Sequence, residues 1–190
     1  MANYNAFTLP GTSLLDTLKT TCSISKAISI LEINSGVPHP DFKDFTAIWD
    51  TGASSSAISP RVVGALGLIP TGKGECETAA GRVEVDKYSI NIKLPNGVAF
   101  SSLQVSCNNM NVDVLIGMDI ISKGDFCITN KDGKTLFTFQ IPSSHETDYV
   151  KEINQLNKYN LIHLGWLKHG NNLCPCGSGK QWEKCHGSKA

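Results

Sequence analysis

The sequence predicts a mainly β domain over residues 26–142, preceded by an N-terminal arm over 1–25 and followed by a helical linker and a small metal-held module. Three observations carry this. Apolar residues from about 75 to 140 recur at a spacing of two between turn signals, the pattern of half-buried strands. The composition shifts after Pro142 to a polar, helix-forming run. Cys174, Cys176 and Cys185 then crowd into the last seventeen residues, whereas Cys22, Cys76, Cys107 and Cys127 stand singly.

The elements follow in order. Residues 1–25 are rich in Ser, Thr and Asn, with a weak apolar pattern at Leu14, Leu15 and Leu18, and read as a short helix or an extended arm. Ile28, Ile30, Leu31 and Ile33 alternate with small or polar residues and stop at Asn34-Ser35-Gly36, which predicts a strand. Phe45 to Trp49 is a second strand, running into Asp50-Thr51-Gly52-Ala53. Ser59 and Pro60 have the character of a helix cap and first turn, with Gly64 weakening the helix. Val83, Val85, Tyr88, Ile90, Ile92 and Leu94 alternate through a long strand that ends at the turn Pro95-Asn96-Gly97. Val112 to Ile116 looks buried on both faces. Asn130 to Gly133 joins two further strands as a hairpin turn. Glu146 to Asn157 predicts a polar helix, and the linker continues to residue 170.

Composition narrows the function classes. At 190 residues, 41% hydrophobic and 18% charged, the chain is long enough to bury a core and is neither an acidic disordered chain nor a collagen. No run approaches the roughly 18 apolar residues of a membrane span, and no basic-then-apolar leader opens the chain, so neither a membrane nor a secretory destination is expected. Seventeen basic residues balance seventeen acidic ones, so charge does not point to nucleic acid. Seven cysteines, an odd number, with one tight cluster predict a reducing, cytoplasmic setting with a metal site. The scattered four are expected to be small buried hydrophobes.

Aspartate disfavours strands, so Asp50 at the end of an apolar run is an unusual placement. Gly52 lets the backbone turn back and present the carboxylate at the loop. An Asx-turn that serves only its own loop would use the same residues. Some sixty residues on, Leu115-Ile116-Gly117-Met118-Asp119 supplies two aliphatics and a glycine, and a hairpin with Ala80 and Gly81 at its tip lies between. This arrangement resembles the retropepsin-like aspartic proteases.

The resemblance implies a closed β-barrel with a flap hairpin and one short helix, with Asp50 as the catalytic carboxylate. It implies that Thr51 hydrogen-bonds across a dimer, that Gly52 lets the backbone approach substrate, and that Ala80 and Gly81 close over a bound peptide. Peptide hydrolysis by this route needs two carboxylates sharing a proton, and the chain holds a single Asp-Thr-Gly. Asp113 and Asp119 lack that loop, and Asp119 is expected to cap or solvate the short helix. The second carboxylate is therefore expected from a second copy, in a homodimer with Asp50 on its two-fold axis. Ala53 offers no hydroxyl to the carboxylate, which predicts a mildly acidic to near-neutral optimum. No cofactor is expected for catalysis. The rival expectation is a non-catalytic adaptor, a dimerising or peptide-binding barrel recruited through its tail.

Cys174, Cys176, Cys185 and His186 give C-x-C-x8-C-H, three thiolates and an imidazole suited to a closed tetrahedral Zn²⁺ site. Gly177-Ser178-Gly179 supplies the turn, and Lys180 and Lys184 offset the thiolate charge. The run from Cys174 to Gly187 resembles the SEC-C zinc module, which over residues 171–190 implies a structural ion and docking to a protein or ribosome. His163 and His169 are read as linker histidines, and His39 and His145 as surface residues.

Overall fold

The computed structural model describes residues 4–28, 30–36, 38, 40–78, 81–163, 173, 174 and 176–185. The chain divides into two compact units, Met1–Ser144 and His145–Ala190.

The first unit holds ten strands: β1 (Asn5–Pro10), β2 (Lys19–Lys26), β3 (Lys43–Trp49), β4 (Ala57–Ile58), β5 (Gly72–Thr78), β6 (Gly81–Lys93), β7 (Ala99–Cys107), β8 (Val114–Ile116), β9 (Asp125–Thr129) and β10 (Leu136–Ile141). Its helices are α1 (Ile30–Asn34), α2 (Pro60–Leu66) and α3 (Met118–Ile121). The strands β2-β3-β8-β4-β7-β6 are hydrogen-bonded in that order, and β6 returns to β2. Six strands thus close a ring, which removes their free edges. Two of the pairings, β3 with β8 and β4 with β7, are parallel. Ile24, Ala47, Ile58, Ile90, Ile92, Val105, Val114 and Ile116 fill the interior.

β5 pairs with β6 alone and projects as a hairpin, in register from Gly72↔Lys87 to Thr78↔Gly81. Ala79 and Ala80, between those last partners, lie outside the described residues. The expected alternation in β6 splits accordingly. Tyr88, Ile90 and Ile92 are buried in the barrel, as is Leu94 just beyond the strand, while Val83 is exposed on the hairpin.

A second, three-stranded sheet of order β1-β10-β9 packs against the barrel at Trp49. Phe7, Phe126, Phe137 and Phe139 all meet Trp49, with ring centroids 4.9–6.1 Å away. Aromatic rings bury large areas, and such tilted pairs add to that burial.

Several expectations change here. Within the span read as a short helix or an extended arm, Asn5–Pro10 and Lys19–Lys26 are extended as β1 and β2, each integral to a sheet. β2 alternates only weakly in its sequence because Thr20, Thr21 and Ser23 stand beside the buried Cys22 and Ile24. The strand expected at Ile28–Ile33 is replaced by α1, with Leu31 in solvent. No pairing place is left for it, since β2 and β3 each already have two neighbours. Leu115 is half-buried between buried Val114 and Ile116. Ser59 stands at the cap position of α2, but its hydroxyl makes no cap hydrogen bond. Gly67 ends that helix with φ 59°, a left-handed geometry that suits glycine. Of the scattered cysteines only Cys22 is fully buried; Cys76, Cys107 and Cys127 are half-buried.

The second unit begins with α4 (Tyr149–His163), where the Asp148 carboxylate accepts from the Lys151 amide at 3.0 Å as a helix cap. Tyr159 packs edge-on against Trp182, centroids 5.8 Å apart. No helix among the described residues is long and apolar enough to cross a membrane. His145 is exposed. His39, Trp166 and His169 lie outside the described residues, as does the side chain of His163.

Candidate active site and thiol cluster

Asp50 is the first residue beyond β3, and the strand on which it sits is pinned on both sides. The Trp49 amide donates to Leu18 O at 3.1 Å, and the Asp50 amide donates to Ile116 O at 2.9 Å. The Trp49 indole donates to Thr20 Oγ1 at 2.9 Å. An anchored aromatic thus sets the position of the aspartate that follows it.

The turn is short and locally bonded. Asp50 Oδ1 accepts from the Gly52 amide at 2.8 Å, and the Ala53 amide donates to Asp50 O at 3.3 Å. The Asx-turn geometry is therefore present, but it occupies only one carboxylate oxygen. Oδ2 accepts no hydrogen bond from the described residues, and Asp50 is half-buried while Thr51 and Gly52 are exposed. The loop is a carboxylate held at a rim with one oxygen available.

Its support comes from the segment sixty residues away. The Met118 amide donates to Ala53 O at 2.8 Å. A Cβ on Gly117 would lie 2.7–2.9 Å from backbone atoms of Ala53 and Ser55, so only glycine leaves room for the loop. Gly117 holds the cap position of α3, while Asp119 Oδ1 accepts from the Ile120 amide of its first turn at 3.0 Å. Asp119 also accepts from Ser56, amide to Oδ2 at 2.9 Å and hydroxyl to Oδ1 at 2.8 Å. Asp113 is likewise engaged, by the Thr46 amide at 3.1 Å and by Arg61 at 2.7 Å. Neither carboxylate is left to work beside Asp50. Ser56, Arg61 and Thr46 went unnoticed in the sequence because nothing local ties them to their partners.

The sulfurs of Cys174, Cys176 and Cys185 all lie within 4.8 Å of one another. The Cys174 amide donates to Lys180 O at 2.6 Å and the Gly177 amide to Cys174 O at 3.3 Å, which folds the glycine turn under the thiols. Hydrogen bonds from the Ser178 hydroxyl and amide, followed by Cys174 and Cys185, lower the Cys176 thiol to about 6. That is the direction a metal ligand needs, because the thiolate is the binding form. Three soft donors at this separation can hold a metal ion. His186 lies outside the described residues. In contrast, burial first, with Asp113 and Asp44 adding, pushes the Cys22 thiol up to about 12.

Two stretches of the chain match known families. Residues 41–123 match the family described as gag-polyprotein putative aspartyl protease. Residues 171–188 match the SEC-C motif. A match to an aspartyl protease family is thus followed along the chain by a match to the SEC-C motif. Similar solved structures include a retropepsin-like aspartic protease from Rickettsia conorii, at 13% identity and TM-score 0.45, covering 73% of this chain and 96% of that one. EIAV protease in complex with the inhibitor HBY-793 has 18% identity and TM-score 0.44, covering 57% and 88%. The retroviral protease-like domain of Ddi1 from Leishmania major has 16% identity and TM-score 0.40, covering 65% and 95%. No curated protein matches the chain.

Proposed function

We propose that the protein is an aspartic endopeptidase that works as a homodimer. The observation that carries this reading is the half-buried Asp50 carboxylate, held at the barrel rim with Oδ2 open. One such group cannot both take a proton from water and polarise a carbonyl. Because Asp113 and Asp119 are bonded elsewhere, the partner group is Asp50 of a second copy, and the two carboxylates share one proton. One accepts the proton of the attacking water while the other donates to the carbonyl oxygen of the scissile bond. Thr51, exposed beside the carboxylate, bonds across the dimer. Gly52 admits the substrate backbone, Ala53 lines the loop, and the β5–β6 hairpin closes over an extended peptide with Ala80 and Gly81 at its tip.

The thiol cluster holds Zn²⁺ with His186 as fourth ligand. Four protein ligands leave no position for water, so this ion is structural and takes no part in hydrolysis. The module docks the enzyme to a protein or ribosomal partner. Free thiols throughout the described chain fit a reducing, cytoplasmic setting.

Peptide cleavage by the full-length protein from about pH 4 to about pH 8, with sedimentation on the same samples, tests the reading. Wild type is expected to cleave as a dimer, and Asp50→Asn to lose cleavage by ~10³-fold or more while remaining folded. A folded dimer whose cleavage is indifferent to Asp50, or absent, would overturn it.

A further inference from the structure

We propose that Asp119 is a positioning residue of the Asp50 site, a carboxylate that acts through Ser56 to hold the Asp50 loop at one height on the barrel. The consequence for rate rests on the peptidase reading above, whereas the clamp itself does not.

Residues 51–56 have no ladder to hold them, and fixing such backbone costs about 1–2 kcal/mol per residue. The loop is tied down at two points on the segment opposite. Near its middle, Ala53 O accepts from the Met118 amide. At its end, Ser56 is buried, and its amide and hydroxyl both donate to Asp119, one to each oxygen. The same hydroxyl accepts from the Gly117 amide at 3.1 Å. With its proton committed to Asp119 and a lone pair to Gly117, the Ser56 hydroxyl has a fixed polarity.

That polarity requires two acceptors at position 119. Asp119 Oδ1 also accepts from the Ile120 amide at 3.0 Å, so the carboxylate is occupied inward and does not reach substrate. An asparagine there offers a single oxygen. It must either leave the buried Ser56 amide without a partner or turn its own NH2 toward the hydroxyl, whose proton then loses its acceptor at position 119. Buried donors left unpaired are costly, so the loop relaxes in preference to keeping them. Relaxation moves Asp50, and displacement of a reacting group by about 1 Å costs ~100-fold in rate.

Full-length wild type, Asp119→Asn, Ser56→Ala and the conservative Ser56→Thr decide this by amide hydrogen exchange read residue by residue, together with steady-state cleavage. In Asp119→Asn and Ser56→Ala, the Ser56 and Gly117 amides are expected to exchange at least ~10-fold faster while those of Ile90 and Ile92 are unchanged. The kcat is expected to fall about 10- to 100-fold with KM within about twofold. Ser56→Thr, which keeps the hydroxyl and the amide, is expected to restore both. Equal acceleration at Ile90 and Ile92, or no local change in either variant, would overturn the clamp. So would a loosened loop with kcat intact, which would leave Asp119 a purely structural residue. A wild type that cleaves nothing would sink the peptidase reading and with it the effect on rate, while local exchange would still decide the clamp.

Discussion

The indole of Trp49 and the ring of Phe139 lie 4.9 Å apart, centroid to centroid, at an interplanar angle of 50°. This contact joins the strand that leads into Asp50 to the second sheet. Trp49 also meets Phe7, Phe126 and Phe137, so the residue before the candidate catalytic carboxylate is among the most firmly held in the domain.

Trp49→Ala is therefore expected to destabilise the protein by about 3–5 kcal/mol, the range for removing a buried aromatic. Trp49→Phe keeps a ring but loses the bond to Thr20, and is expected to cost about 1–2 kcal/mol. Urea unfolding followed by far-UV circular dichroism measures both; equal losses would contradict the role assigned to the ring contacts, and no loss in Trp49→Phe would contradict that assigned to Thr20.

Gly117→Ala is expected to shift the Asp50 loop, because the new methyl meets backbone of Ala53 and Ser55, which cannot rotate away as a side chain tip can. Overpacking of this kind costs about 1–3 kcal/mol. Cleavage is expected to fall further than stability alone accounts for, as comparison of the Tm with activity well below it will show.

The Cys22 thiol gives a pH dependence with a definite sign. Its folded-state value, about 12, stands above the ordinary thiol value of 9.0 because burial disfavours the thiolate. The unfolded chain therefore loses this proton first as the pH rises. Its contribution to stability is complete below pH 9.0 and declines from there towards about 12. Cys22→Ala is expected to flatten the fall in unfolding free energy above pH 9.0. In the native protein, Cys22 is expected to resist a thiol reagent until the barrel unfolds.

Position 53 bears on the working pH. The bond to Asp50 Oδ1 comes from the Gly52 amide, and Ala53 adds no hydroxyl donor. The pH–rate profile is expected to peak in the mildly acidic to near-neutral range, and a maximum near about pH 2 would contradict the dyad environment proposed.

For the thiol cluster, elemental analysis is expected to find one equivalent of zinc per chain, lost in Cys185→Ser. A chelator strong enough to strip the ion is expected to change the Trp182 fluorescence, since Trp182 lies in the turn just before Cys185. Cleavage of a short peptide is expected to survive the loss, as a structural ion in a docking module predicts.

The parts of the fold that were legible in the sequence are those set by neighbours in the chain. The strand into Asp50, the cap position and proline of α2, the turns at Pro95–Gly97 and Asn130–Gly133, and the cysteine spacing all follow from local chemistry. β2 was hidden because its hydroxyl-rich residues blur the two-residue period, and β1 because only Phe7 and Leu9 mark one. The region of α1 misled because Ile28, Ile30 and Ile33 alternate like a strand, yet no barrel strand has a free side to pair with it. In the site, Asp50 announced itself by its odd place after an apolar run, whereas Ser56 is one of three consecutive serines and carries no local mark.

The sequence by itself determined which chemical groups the protein has to work with: a carboxylate presented by a glycine turn, a single copy of it, and three thiols close enough in the chain to share an ion. Only the tertiary structure decided how each is held. β6 closes the ring by returning to β2, Trp49 is seated by rings from the far sheet, and Asp119 reaches Ser56 across 63 positions of chain. Such partners meet because burial leaves a polar group no water and obliges it to find another group in the fold, wherever in the chain that group lies.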